Sequence, residues 1–249
     1  MKKLLHITLV SITPLLFFNC TSPKNVNPDH GSQVKKGQLK LHLHNYIAED
    51  EVDAYGITYT TPDGQAIKLN CGQLYLSGFQ LIKADSSVYT VPDTVILKTQ
   101  DLETYTLPSV PVGNYIGLSF YVGLNNSQDQ STASVLGDSS MFFENSTKHV
   151  FLNVSGSMDT SANYDGSMAD FNYKIGTSTN LKKVQMPFQK FTISEDFTQY
   201  AHMKIDYSRM FLGINLSQKE NLSATKLEEQ NKEVVTKILN NLPQMFIYE

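Results

Sequence analysis

The clearest pattern in the chain runs over residues 112–124, where Ile116, Leu118, Phe120 and Val122 alternate with Tyr115, Gly117, Ser119 and Tyr121. A period of two sends successive side chains to opposite faces of a β-strand. Pro111 and Gly113 punctuate its start, and Gly123 with Asn125 and Asn126 its end. Neither face is charged, so the pattern predicts an interior strand with neighbours on each side. The alternation recurs over residues 38–46: Leu39, Leu41 and Leu43 face one way, Lys40, His42 and His44 the other. Residues 56–60 and 66–69 predict a hairpin turning at Pro62-Asp63-Gly64, followed by strands over 73–84, 88–91, 94–98, 104–107, 150–154 and 169–175. In residues 199–207, Ala201, Met203, Ile205 and Tyr207 share one face, and Tyr200, His202, Lys204 and Asp206 the other. Short strands about ten residues apart predict an all-β fold, a β-sandwich of mostly antiparallel strands.

The period changes near the end of the chain. Leu227, Val234, Val235, Ile238 and Leu239 recur at helical spacing, with Thr225 placed as N-cap and Glu228 at the third helical position. Asn240, Asn241 and Pro243 mark a stop, which predicts one C-terminal helix over residues 225–241 packed on the sandwich. A partner-binding face is the alternative use of that stripe. Leu242, Met245, Phe246 and Tyr248 are expected to pack back on the sheets.

The start of the chain reads as an address. Met1-Lys2-Lys3 precedes an apolar run over 4–18, short for a membrane span, and Cys20 follows directly. A cysteine at that place resembles the lipobox of bacterial lipoproteins. With Asn19 and Phe17 before it, the box resembles the loosened form of Bacteroidota. Residues 1–19 are therefore expected to be a lipoprotein signal peptide, with Cys20 the lipidation site; an ordinary signal peptide with a chance cysteine is the alternative. Two acyl chains suffice for stable anchoring, since each buried CH₂ contributes about 0.8 kcal/mol. Residues 20–37 are polar and without apolar period, a flexible tether to the domain at 38–249. No acidic run follows Cys20. The expected location is thus the cell envelope, anchored to the outer membrane and facing the periplasm, with surface display left open.

Composition narrows the function. The chain has 249 residues, a formal charge of −4 and 41% hydrophobic residues, enough for one cored domain. Arg209 is its single arginine and no basic stripe occurs, which argues against nucleic acid. It carries no Gly-x-Ser-x-Gly, no HExxH and no phosphate loop, and no serine with an identifiable His and Asp set; the expectation is no enzyme. Residues 163–170 resemble a calcium loop only superficially, lacking the spaced carboxylates, and predict a turn. If Cys20 is acylated, Cys71 has no partner and is expected to be buried. His42 and His44, two residues apart on a strand, put two imidazoles on one face roughly 6–7 Å apart, a chelating arrangement. No third ligand is evident, so they are expected to be solvated on the open face of an edge strand. His202 reads as surface, Met203 as core, and His149, opening a strand, as a satisfied or solvated side chain.

Residues 75–85 (Tyr-Leu-Ser-Gly-Phe-Gln-Leu-Ile-Lys-Ala-Asp), Val91-Pro92-Asp93-Thr94, Val110 to Tyr115, Leu118-Ser119-Phe120 and Val122-Gly123-Leu124 together resemble the MbnP-like family, over most of residues 38–249. The resemblance implies a β-rich periplasmic or surface protein, in a family named for a copper-associated member. Copper-binding members are expected to build their site from histidines and an oxidised tryptophan. The matching segments here read Met141-Phe142-Phe143-Glu144-Asn145 and Phe171-Asn172-Tyr173-Lys174-Ile175-Gly176. Phe143 and Asn145 stand at the tryptophan positions, Lys174 at the histidine, and the chain has no tryptophan. The resemblance thus implies a lipid-anchored, non-enzymatic binding or accessory lipoprotein without the family's usual copper site. The alternatives are a copper or other metal protein with relocated ligands, drawn from His42, His44, His149 and His202, and a structural or adhesive protein engaging an envelope protein or a glycan. No cofactor is called for, with copper the open exception.

Overall fold

The computed structural model describes residues 34–131 and 133–249. The apolar leader, Cys20 and most of the expected tether lie outside them. The strands are β1 (Lys36–Ile47), β2 (Asp50–Glu51), β3 (Thr58–Thr60), β4 (Ala66–Lys83), β5 (Val88–Thr90), β6 (Val95–Lys98), β7 (Thr104–Pro111), β8 (Gly113–Val122), β9 (Val150–Asp159), β10 (Met168–Gly176), β11 (Lys182–Gln185), β12 (Phe191–Ile193), β13 (Thr198–Asp206) and β14 (Ser223–Ala224). A helix, α1 (Glu233–Met245), and a last strand, β15 (Phe246–Tyr248), complete the chain.

They form two sheets. The smaller runs β15-β13-β1-β2, with β7 also on β1; the larger runs β11-β8-β4-β9-β10-β14, with β12 on β8 and β3, β5 and β6 on β4. The fold is the expected β-sandwich with one helix, and most pairings are antiparallel. The exception that shapes the molecule is β1 with β13, which run parallel from Gln38 opposite Thr198 to Tyr46 opposite Asp206. Parallel neighbours require a long crossover; here all of the larger sheet but β14 lies between them in sequence.

Alternation dictates what each face does. Leu39, Leu41 and Leu43 of β1, with Met203 and Ile205 of β13, are fully buried in the core. Phe120 of β8 meets Phe246 of β15 edge to face, ring centroids 5.0 Å apart, and joins the two sheets. Val234, Val235, Ile238 and Leu242 of α1 enter the same core. The larger sheet is covered on its other side too, where Tyr75, Leu124, Leu136, Met141 and Phe151 form a second, smaller cluster.

Four expectations need correction. Strand β1 is no edge: β13 flanks it on one side and β7 and β2 pair with it as well. The tether ends earlier, because Lys36 and Gly37 already belong to β1, paired with Pro111 and Val110. Segments 66–69 and 73–84 are one strand, β4, which passes Cys71 by shifting register between Leu69 and Cys71 against β9. Cys71 itself is half-buried rather than buried.

The helix also begins late. Residues 227–229 form a single 3₁₀ turn, and it is Glu229, not Glu228, whose Oε2 accepts from the Thr225 and Lys226 N–H groups. The turn stops at Gln230, whose buried amide is committed to the Lys174 and Lys226 carbonyls and the Gly176 N–H. Helix α1 then runs through Pro243 to Met245. A proline inside a helix costs about 3 kcal/mol, which the burial of Leu242, Met245 and Asn241 offsets; the Asn241 amide donates to the Met210 and Leu212 carbonyls.

Lys98 is buried in the floor of the β6–β7 connection, its ammonium donating to the Thr99 carbonyl at 2.6 Å and the Leu102 carbonyl at 3.1 Å. Burial pushes it down from 10.5 to about 8. Between those values the unfolded chain holds more protons, so stability rises with pH there. From about pH 9 upward Cys71, pushed up from 9.0 to about 11, and the raised tyrosines, Tyr105 and Tyr248 at about 12 among them, oppose this, because the folded chain keeps protons that the unfolded chain has lost. Urea unfolding should therefore show the parent gaining on Lys98→Met by about 1–2 kcal/mol from pH 8 to pH 10, since the titrations of Cys71 and the tyrosines are common to both. A methyl at Gly156 would collide with the Lys68 carbonyl oxygen of the neighbouring strand. Gly156→Ala should cost about 3 kcal/mol in the same measurement.

Candidate metal centre

The outer face of the smaller sheet is set by the residues of β1 and β13 that the core leaves out. Because Leu41 and Leu43 point inward, His42 and His44 point outward; because Met203 points inward, His202 does too. The parallel register sets His42 directly opposite His202. A third strand closes the site, since β7 pairs Thr104 with His42 and the Leu43 N–H donates to the Glu103 carbonyl at 2.9 Å. Glu51 arrives on β2, opposite Tyr46, and Glu249 follows β15, its N–H donating to the His202 carbonyl at 3.2 Å.

Three imidazoles and three carboxylates thus meet on one sheet face. His42 Nε2 and His44 Nε2 lie 3.0 Å apart, and the other nitrogen of His42, Nδ1, lies 3.1 Å from His202 Nδ1. Glu103 Oε2 is 3.5 Å from His42 Nε2 and 4.0 Å from His44 Nε2. Glu51 Oε1 approaches His44 Nδ1 to 2.6 Å, off the angle of a formed hydrogen bond, so that this buried nitrogen has no hydrogen-bond partner. Glu249 stands farther off, 3.8 Å from His44 Nδ1 and 3.9 Å from His202 Nδ1. One ligand atom each from His42, His44 and Glu103 falls within 4.8 Å of the other two, a span that a single ion can bridge.

The surroundings hold these groups in place. The loop that delivers Glu103 is pinned from below by Lys98 and by Tyr105, whose hydroxyl donates to the Leu102 carbonyl at 2.7 Å. On the same face Lys204 is occupied by the Tyr46 ring, 4.2 Å from its centroid, and Lys40 lies over Tyr200 at 5.9 Å. Next to His44 an open depression of ≈ 560 Å³ is lined by Glu49, Glu51, Asp206 and Glu249 and by the cations Lys204 and Arg209, the latter paired with Asp206 at 3.0 Å.

His149 does something else. It lies in the larger sheet, with Nδ1 2.8 Å from Asp129 Oδ1 and Nε2 3.2 Å from the Leu136 carbonyl, both nitrogens facing oxygens within a buried site. Its N–H donates to the same carboxylate, and Lys148 reaches Asp129 Oδ2 at 3.3 Å. Neither lone pair faces outward. Met203 is core as expected, and His202 is half-exposed but joined to His42. The participation of Glu51, Glu103 and Glu249 was missed. Isolated acidic residues in turns and at the chain end carry no signal of their own, and only the strand pairings bring them together.

The positions at which the family resemblance implies copper donors offer none. Phe143 is buried, Asn145 sits in a turn with φ 56°, and Lys174 directs its ammonium at the Ser140 carbonyl (3.3 Å) and the Phe142 carbonyl (3.5 Å). A hydrocarbon ring, a turn amide and a fixed ammonium do not suit a copper ion. Cys71, a soft donor, hydrogen-bonds Gln73 and the Asn153 carbonyl, and burial pushes its thiol up to about 11.

The comparisons with known proteins agree with this architecture. No curated protein matches the sequence. A solved structure, MbnP from Methylosinus trichosporium, superposes with a TM-score of 0.51 at 16% identity, covering 72% of this chain and 78% of that one, a likeness of fold. The family model described as MbnP matches residues 36–232, most of the chain and nearly all of both sheets. This chain belongs to the MbnP family.

Proposed function

We propose that this protein is a lipid-anchored, non-enzymatic accessory protein of the cell envelope that binds a transition-metal ion, and that it does so on the outer face of the smaller sheet rather than at the family's usual place. The observation that carries the proposal is the convergence of His42 Nε2, His44 Nε2 and Glu103 within 4.8 Å. Two imidazoles and a carboxylate are a donor set for divalent first-row metals. Membership in the MbnP family and the sequence of the leader support an envelope location, with acylation at Cys20 and the outer membrane facing the periplasm. Among the described residues no helix is long and apolar enough to cross a membrane. The family's copper site is absent on this reading, its space taken by Phe143 and the Lys174 ammonium.

The test is metal content. Full-length protein equilibrated with Zn(II) or Cu(II) and then dialysed should retain about one ion per chain. The double variant His42→Ala/His44→Ala should lose it, while His149→Ala should keep it and only lower the melting temperature. Retention of one ion by the double variant would refute the site.

A further inference from the structure

Resting on that reading, we infer that His202 and Glu51 are not ligands but positioning residues that hold the two ligand imidazoles in the tautomer the ion needs, leaving a three-donor site with an open position for an exchangeable divalent ion. The argument starts from the two nitrogens of each ring. An imidazole that binds a metal through Nε2 must carry its proton on Nδ1, and that N–H needs an acceptor; ligand histidines nearly always have one. His42 Nδ1 faces His202 Nδ1 at 3.1 Å. His44 Nδ1 faces the Glu51 carboxylate at 2.6 Å and needs only a turn of that carboxyl to complete the bond. Each outer group is therefore placed to accept a hydrogen bond from the far side of a ligand ring. Both Nε2 lone pairs then point at one another, 3.0 Å apart. Two nitrogens bound to one ion at about 2.0–2.1 Å stand only slightly farther apart.

The environment selects the class of ion. All donors are imidazole nitrogen or carboxylate oxygen, and the nearest sulfur on β13, Met203, lies on the buried face. Such a set favours borderline divalent ions such as Zn(II) and Cu(II), over soft Cu(I) and over hard Mg(II). The third ligand, Glu103, has 46% of its side chain exposed, and His202 49%. The ion is therefore reached from solvent and keeps room for a further ligand, as in sites that exchange their metal rather than structural sites enclosed by four protein donors.

Competitive Zn(II) titration of the full-length protein, with excess Mg(II) present throughout, tests this. Glu51→Gln and His202→Ala should each bind one ion still, about 10–100-fold more weakly than the parent. The Cu(II)-loaded parent should show electron-resonance coupling to two imidazoles, and His202→Ala the same two. Parent-like affinity in both variants would overturn the positioning role while leaving the metal site standing. Loss of one imidazole coupling in His202→Ala would make His202 a ligand and overturn it too. Absence of any ion on the parent protein would sink the metal reading itself.

Discussion

The parallel pairing of β1 with β13 is the constraint on which the rest of the molecule depends. It joins residues about 160 positions apart, His42 to His202 among them, so every strand of the larger sheet except β14 lies in the interval. Its register is enforced from inside: Leu39, Leu41 and Leu43 on one strand and Met203 and Ile205 on the other must all face the core. Burying each such side chain contributes about 1.5–3 kcal/mol, and a slip by one residue would reverse every side chain to the wrong face. No imidazole contact approaches that magnitude. The histidines are thus placed by apolar burial, and the chemistry of the face is a by-product of the packing beneath it.

This order of causes explains how the outer face tolerates groups that gain little from being together. Three carboxylates and three imidazoles within a few ångströms would spread apart on a loop. Here each is fixed by a backbone hydrogen bond of its own strand or flank: Glu103 through Leu43, Glu249 through His202, Glu51 through the pairing with Tyr46. The rigid sheet supplies preorganisation, and the side chains only have to turn. The Lys98 and Tyr105 contacts to the Leu102 carbonyl extend the same support beneath Glu103.

Much of this was legible in the sequence, and what was not has a common cause. Alternation in residues 38–46 and 199–207 correctly sorted Leu, Met and Ile from His, because inward and outward are local properties of a strand. Cys71 and the two segments around it misled, because a bulge looks from sequence like an interruption. The capping signal near Thr225 was real but served one turn only, since Gln230 is drawn into bonds with Lys174 and Gly176 of a distant strand. Glu103 was invisible, and His202, a candidate by residue type, could not be placed beside His42, because which strand lies next to β1 is decided by tertiary pairing.

The two faces now pose opposite chemical cases on one scaffold. Where the family resemblance implies copper donors, an internal cation meets backbone carbonyls: the Lys174 ammonium bonds Ser140 and Phe142, and a positive charge fixed there repels any metal ion that approaches. On the far sheet the balance is reversed, with carboxylates outnumbering the lysines, of which Lys204 is already engaged by Tyr46. A fold does not commit its owner to a site, because a sandwich core asks nothing of the residues outside it. The leucine ladder beneath the histidines is needed for the core whatever the outer face carries.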